Sequence, residues 1–488
     1  MDIGRGAGQR QLIVVGTGAG GLYTALCAAH AGARVALISA GELTDSSTYW
    51  AQGGIAAALG DDDSPQLHFQ DTISAGRSSV RPAAAQVLSV EAASIVDELT
   101  GLGVAFDLDP AGVPLLGREG GHSRRRVVHA GGSSTGQALI SRLNTIVASE
   151  PKVEVLHGRT VTALLNDGER CNGVRLEDGL ELAAAATVLC TGGAAALWSR
   201  TTNPRSAQGS GLLLAYQAGA ALADLEWMQF HPTAVRGLGG ADGFLVTEAI
   251  RGEGALLLDA EGERFVDELA PRDEVARAIF TRLRESASEA VWLDMRQLDP
   301  ARFPNVVRTL RQSGTDPVRD LVPVSPASHY MMGGVATDLQ ARSTLPGLYA
   351  VGECACSGLH GANRLASNSL TECFVFGRRA AQAALNERTP RSLGSASCTS
   401  HQGSPPRLSS RSREALWEHG GLERDHEGLS KLLDDPYPLV ALIARSALTR
   451  NESRGAHWRS DYPLHDPALD NQHVMLMRDQ NPSFAHWE

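Results

Sequence analysis

Leu12-Ile13-Val14-Val15-Gly16-Thr17-Gly18-Ala19-Gly20-Gly21 decides the fold of this chain. Four apolar residues in a row read as a strand of a buried parallel sheet. Gly16, Gly18 and Gly21 fit G-x-G-x-x-G, and a helical stretch follows from about Gly20 to Ala31. Gly32 ends that helix and Arg34-Val-Ala-Leu-Ile-Ser39 is the next strand, so the opening is a complete βαβ unit. The three glycines then serve a tight turn, close approach to a pyrophosphate, and close helix–strand packing. The helix N-terminus adds N–H groups and a positive dipole end for the phosphates. Ordinary Gly-rich loops also carry this spacing, and it is the correct flanks on both sides that favour a dinucleotide site.

The acidic residue that would hold a ribose at the end of the second strand is missing, and Ser39 stands there. That weakens a plain NAD reading. Far downstream, Gly347-Leu-Tyr-Ala-Val-Gly352-Glu353 is an apolar strand ending in Gly-Glu, an arrangement by which two-nucleotide-fold flavoproteins hold a ribityl chain. An ordinary buried strand has the same local pattern. The pair of motifs, more than 300 residues apart, favours FAD.

At 488 residues the chain exceeds a single core, so two or three domains are expected. A net charge of -11 argues against non-specific nucleic-acid binding, yet local Arg and His clusters can still hold an acidic small molecule. The seven cysteines are scattered without paired C-x-x-C units, and Cys354-x-Cys356 has the wrong spacing for a zinc site, so no metal is expected. A reducing cytoplasm is the natural compartment. Met1 to Gln11 is polar with no apolar core, so no signal peptide is expected there, and no stretch reaches the ~20 apolar residues of a membrane span.

These features define an α/β fold: a Rossmann-like FAD-binding domain with an inserted α+β capping domain and a C-terminal helical domain. Residues 1–224 and 330–388 form the first, 225–329 the insert, 389–413 a linker rich in Ser, Arg, Pro and Gly, and 414–488 the tail. Within the first, Val153–Leu156, Thr160–Leu165, Gly173–Leu176 and Leu180–Leu182 are expected as one antiparallel meander, with turns at Asn166-Asp167-Gly168 and Asp178-Gly179. Helices are expected around Glu274–Glu289 and on the face shared by Leu439, Val440, Ile443 and Ala447.

Nine further segments carry a family resemblance. They are Ser46-Ser-Thr-Tyr-Trp-Ala-Gln-Gly-Gly-Ile55, Arg118-Glu-Gly-Gly-His-Ser123, Thr201-Thr-Asn-Pro204, Gln229-Phe-His-Pro-Thr233, Thr247-Glu-Ala-Ile-Arg-Gly-Glu-Gly254, Leu269-Ala-Pro-Arg-Asp273, His329-Tyr-Met-Met-Gly-Gly334, Gly358-Leu-His-Gly-Ala-Asn-Arg-Leu-Ala-Ser-Asn-Ser369 and Asn451-Glu-Ser-Arg-Gly455. In that order, from Leu12 to about Pro463, the chain resembles the succinate dehydrogenase/fumarate reductase flavoprotein superfamily and, within it, the L-aspartate oxidase family.

The resemblance implies a pocket for a small dicarboxylate. Fixed cations and donors are what two carboxylates require, and Arg matches a carboxylate bidentately. Arg272, Arg364, His231, His329 and Thr247 are the implied donors, with Gln229 and Glu248 nearby. Taken singly, His231 before a proline also fits a structural role, and Arg272 in a Pro-Arg-Asp turn also fits a surface ion pair. The implied FAD contacts are Gly16, Thr17, Gly18, Ala19, Gly20, Gly21, Ser39, Ser46, Ser47, Thr48, Ala51, Gln52, Gly53, Gly54, Thr191, Gly192, Glu353, Asn368, Ser369 and Leu370.

Two positions separate subfamilies. Succinate dehydrogenases carry a flavin-linked histidine where this chain has Ser47, so FAD is expected to be held non-covalently. Where succinate and fumarate enzymes have an apolar residue, this chain has Glu119. A carboxylate in a dianion pocket makes sense if the substrate also bears a cation, as the aspartate ammonium does; the bland alternative is that Glu119 faces solvent. The implied reaction is hydride transfer from Cα–H of L-aspartate to flavin N5, giving iminoaspartate, the first step of de novo NAD synthesis, with quinolinate synthase as consumer. Arg272 is cast as proton donor when fumarate is reduced. A guanidinium seldom gives up its proton, so a relay through Glu248 or Glu253 is the alternative. Without iron–sulfur cysteines, O2 or fumarate must reoxidise the flavin.

The chain departs from the family at Ser210, where Asp is usual, and at Ala40, where Lys is usual; both predict weaker FAD binding. The linker and tail also look short for the family. Two alternatives stand beside the main reading. A soluble fumarate reductase or succinate-oxidising flavoprotein is opposed by Glu119 and Ser47, and a non-catalytic electron-transfer subunit by the intact Arg/His set.

Overall fold

The computed structural model describes residues 11–387 and 407–487. Most of the expected linker and the polar start of the chain lie outside the described residues. The opening motif forms β1 (Leu12–Val15), α1 (Ala19–His30) and β2 (Val35–Ser39). With β3 (Val153–His157), β4 (Ala186–Leu189) and β5 (Leu348–Ala350) they make a five-stranded, all-parallel sheet in the order β5-β4-β1-β2-β3.

Alternation along β1 explains why all four of its residues are apolar. Leu12 and Val14 enter one core, packed with α1 and the long helix Pro82–Gly101. Ile13 and Val15 enter the other, with the meander strands and the tail helix Pro438–Thr449. Successive side chains point to opposite faces, and here both faces are covered. Truncating Leu12 or Ile13 to Ala would cost about 2–5 kcal/mol.

One expectation is corrected. Val153–Leu156 does not join the meander; it lies in β3 at the edge of the parallel sheet, paired with β2. The helix Thr135–Ser149 just before it carries the chain back across the sheet, which a parallel pairing requires. The meander holds three strands, Val161–Asn166, Cys171–Leu176 and Glu181–Ala183, joined at the two turn signals read from sequence.

Between β4 and β5 a four-stranded antiparallel sheet forms from Met228–Val235, Leu256–Leu258, Val291–Asp294 and Val322–Met331. Three helices accompany it: α2 (Glu248–Gly252), α3 (Arg272–Ser286) and the helix Pro304–Gln312. The residues Leu439, Val440, Ile443 and Ala447 are buried on one face of the helix Pro438–Thr449. After that helix the tail adds two strands. Gln472–Leu476 pairs with Leu222–Ala223 and with Ser483–His486, in a sheet that also holds Gly334–Ala336 and Ala355–Cys356. No described helix is long and apolar enough to cross a membrane.

Candidate active site

The sheet order reverses between β1 and β4, so the turns leaving their carboxyl ends open a crevice, the usual ligand position in such sheets. Gly16 closes the first turn with φ +111°, and a Cβ there would sit 2.2 Å from the Cys190 carbonyl oxygen of the second. Gly21 lies beneath the crevice, where a Cβ would meet the Gly16 carbonyl oxygen at 1.9 Å; any side chain would lift α1 from the strand. A cavity of about 1040 Å³ runs from these turns to the sheet of residues 228–331.

Gly16, Thr17, Gly18, Ala19, Gly20, Ser39, Ser46, Ser47, Thr48, Ala51, Gln52, Gly53, Gly54, Thr191, Gly192, Glu353, Ser369 and Leu370 all line it. Gly21 and Asn368 do not. Asn368 is fully buried beside it, its Oδ1 2.7 Å from His68 Nε2 and its amide donating to Thr72 Oγ1. Ala40 and Ser210 line the cavity, so the two departures face the space they were expected to affect.

The lining fits a dinucleotide. Thr17 Oγ1 and Ser39 Oγ are 2.9 Å apart and Thr48 Oγ1 accepts from Ala19 N–H, which ties the first turn to the end of β2 and to the segment 46–54. Thr191 Oγ1 and Gln52 Oε1 are buried without a protein partner, polar atoms that a bound group would satisfy. Ser47 Oγ donates to Asn203 Oδ1 at 2.8 Å, a hydroxyl where a flavin-linking imidazole would be needed for covalent attachment. Burial pushes the Glu353 carboxyl up to about 7, against the Met331 N–H that it accepts.

At the far end of the same cavity stand Arg272, Arg364, His231, His329, Thr247, Glu248 and Glu119. Arg272 is the first residue of α3, and its Nε donates to Glu248 Oε2 at 2.5 Å. Its Nη1 donates to Gln229 Oε1 at 3.2 Å, and Arg364 Nε donates to the same oxygen at 3.3 Å. Gln229 is held in turn by its own amide, which donates to Asn363 Oδ1 and the Arg364 carbonyl. It lies behind the two arginines rather than in the cavity wall, and it spaces them. Among the described residues, neither arginine has a protein hydrogen-bond partner on Nη2.

His231 and His329 pack edge to face with centroids 5.1 Å apart. Burial, reinforced by Arg272, holds both imidazoles well below their ordinary pKa, so both are neutral at pH 7. The Thr233 N–H donates to His231 Nδ1 at 3.2 Å, which leaves the ring proton on Nε2 as a donor. His329 Nδ1 is 2.8 Å from Thr202 Oγ1.

Burial alone would raise Glu248, but Arg272 and Arg251 overrule it and hold the carboxyl at about 2. Arg251 is a residue that sequence reading left without a role. It is buried, its Nη2 lies 3.6 Å from Glu248 Oε2, and only its place in the Thr247–Gly254 segment marked it. Glu253, the alternative relay, is placed elsewhere: it pairs with Arg302 outside the cavity.

Glu119 is 4% exposed and does not face solvent. Its Oε2 accepts from Ser367 Oγ at 2.6 Å, and Ser367 adopts φ +60°, a left-handed turn that the sequence did not announce. A second carboxylate, besides the Glu248 that pairs with Arg272, is thus set into a wall of arginine, histidine and threonine donors.

Parallel sheet, crevice and donor set define a flavin-binding oxidoreductase of the fumarate reductase type. An FAD binding domain model matches residues 11–370, and a fumarate reductase flavoprotein C-terminal model matches 433–486. The chain is 42% identical to an L-aspartate oxidase of Agrobacterium fabrum, over 95% of this chain and 93% of the relative. It is 38% identical to one of Nostoc sp., over 94% and 92%. The solved structure of an E. coli quinol fumarate reductase superposes with a TM-score of 0.88 at 28% identity, covering 98% of this chain and 97% of that one. The chain belongs to the L-aspartate oxidase family.

Proposed function

We propose that this protein oxidises L-aspartate to iminoaspartate with FAD held non-covalently. The observation that carries the reading is Glu119, a buried carboxylate at the rim of a pocket for a dianion. A dicarboxylate without a cation gains nothing from it and meets repulsion; the aspartate ammonium makes a charge-assisted hydrogen bond with it. That contrast disfavours succinate oxidation as the main activity.

The free Nη2 groups of Arg272 and Arg364 grip the two carboxylates, and the neutral His231 adds its Nε2–H. Such fixed donors act mainly by positioning. Glu119 holds the ammonium and accepts a proton from it, since a neutral amine expels the Cα–H electron pair more readily. Bound FAD supplies the two-electron acceptor. When fumarate is reduced instead, Arg272 hands a proton to substrate and is reprotonated from solvent by way of the Glu248 carboxylate, whose Oε2 adjoins its Nε. We also propose that residues 225–329 act as the cap over the flavin, and that O2 or fumarate is the terminal acceptor. The product belongs at the entrance to NAD synthesis, with quinolinate synthase as its consumer. The six free cysteines of the described residues support a cytoplasmic setting.

Anaerobic mixing of the yellow holoenzyme with L-aspartate and, separately, with succinate tests this. Bleaching by aspartate alone is expected. Bleaching by succinate alone would overturn the assignment and leave a dicarboxylate dehydrogenase.

A further inference from the structure

The two arginines of the pocket are supported differently. Arg272 is paired with a carboxylate, Glu248. Arg364 is 5% exposed, and among the described residues no carboxylate comes within 4.0 Å of it; its polar partners are Gln229 Oε1 at 3.3 Å and Ser369 Oγ at 2.9 Å, both neutral. Instead its guanidinium carbon stands 4.5 Å from the centroid of the Tyr330 ring.

Tyr330 is itself fixed. Its hydroxyl donates to Glu372 Oε2 at 3.1 Å and lies 3.3 Å from His360 Nε2. Glu372 also takes His360 Nε2 on Oε2 and the Ser357 hydroxyl on Oε1, each at 2.8 Å. It sits on α4 (Asn368–Ala384), which packs along α1, so the ring is tied to the rigid floor of the crevice. Tyr330 also lines the cavity.

An aromatic face attracts a cation without cancelling its charge, whereas a carboxylate attracts and cancels it. We propose that Tyr330, anchored by Glu372, is a positioning residue that aims Arg364 and leaves its full charge for a substrate carboxylate, which makes the ring a determinant of dicarboxylate affinity. This rests on the reading of the pocket as a dicarboxylate site. Burial and the neighbouring Arg272 bring Arg364 down to about 10, which still leaves it protonated at neutral pH.

The test uses FAD-loaded wild-type protein, Tyr330→Phe, Tyr330→Leu and Glu372→Gln. Binding of succinate as an unreactive probe is followed by perturbation of the flavin band, alongside KM and kcat for aspartate. Tyr330→Phe keeps the ring and is expected to stay within about 3-fold of wild type in succinate Kd. Tyr330→Leu is expected to raise that Kd and the KM about 10- to 30-fold, with kcat changed far less. Glu372→Gln is expected to raise Kd a few-fold while FAD content stays full. Unchanged succinate binding in Tyr330→Leu overturns the proposal, as does a fall in kcat at constant KM. Should Tyr330→Leu fail to retain FAD, the other two decide: a Tyr330→Phe defect as large as that of Glu372→Gln assigns the effect to the hydroxyl and overturns the role of the ring. A wild-type enzyme that binds succinate but is not bleached by aspartate would sink the proposed reaction and leave the role of Tyr330 intact.

Discussion

The backbone N–H of Gly120 donates to Oε1 of Glu248 across 2.9 Å. Gly120 follows the carboxylate assigned to the substrate ammonium, and Glu248 supports the arginine assigned to proton delivery. The same bond therefore joins the loop that recognises the amine to α2, whose Glu248 supports Arg272 on α3. A Cβ on Gly120 would lie 2.2 Å from that Glu248 oxygen. Gly120→Ala is expected to displace both carboxylates and to cut kcat/KM about 10- to 100-fold for aspartate oxidation and for fumarate reduction alike. FAD fluorescence titration should show cofactor affinity unchanged. A loss confined to one direction of the chemistry would show that the two groups are independent.

Glu119→Gln should separate the two activities that Gly120→Ala ties together. Losing a charged acceptor for the ammonium is worth about 1.5–3 kcal/mol, or roughly 10- to 150-fold in kcat/KM for aspartate. Fumarate carries no ammonium, so its reduction should stay within about 3-fold of wild type. Steady-state assays in both directions check this, and an equal loss in both would remove Glu119 from amine recognition.

Glu248 and Glu253 are equivalent relay candidates in the sequence, and the structure divides them. Five residues apart, they fall on different sides of the short helix α2, one towards Arg272 and one towards Arg302. Glu248→Gln is expected to lower fumarate reduction by 100-fold or more, on the order of a general acid–base contribution. Glu253→Gln loses a half-exposed pair and should stay within about 2-fold. Steady-state fumarate reduction by the two variants checks the division.

That division shows where the sequence was readable and where it was not. The run Leu12–Val15 and the glycines after it announce a covered parallel strand and its turn because both are local demands on side-chain type and φ. The identities of Arg272, Arg364, His231 and His329 were equally legible from their segments. Which atoms meet was not. Gln229 bridges the two arginines from behind, and Asn368 turns into the core while its neighbour Ser369 turns into the cavity. Such outcomes depend on partners far away along the chain. The same holds for Val153–His157, whose alternating pattern suits a meander strand and an edge strand equally; the preceding helix decided between them.

Buried histidines give the fold a defined acid limit. His231, His329 and His457 are held well below their ordinary pKa by burial and neighbouring arginines, and His68 by burial to about 3. Unfolding lets each return to about 6.5 and take up a proton, so their stability contribution is full above that pH and erodes as pH falls towards their folded values. Each costs up to about 1.4 kcal/mol per pH unit below 6.5. Thermal melting of the holoenzyme should be flat from pH 8 to 7 and fall steeply from 6.5 to 5. His457→Gln, which lies away from the cavity, should make that fall shallower. An unchanged slope would mean that this imidazole is already protonated in the folded protein.

The strand Gln472–Leu476 lies directly beside Leu222–Ala223, though some 250 residues separate them along the chain. During synthesis, Leu222–Ala223 waits with one edge bare until Leu476 has emerged from the ribosome. The parallel sheet under the crevice is likewise unfinished until β5 arrives. A chain that stops before Gln472 would hold every residue of the cavity wall yet leave that edge of Leu222–Ala223 without its partner strand.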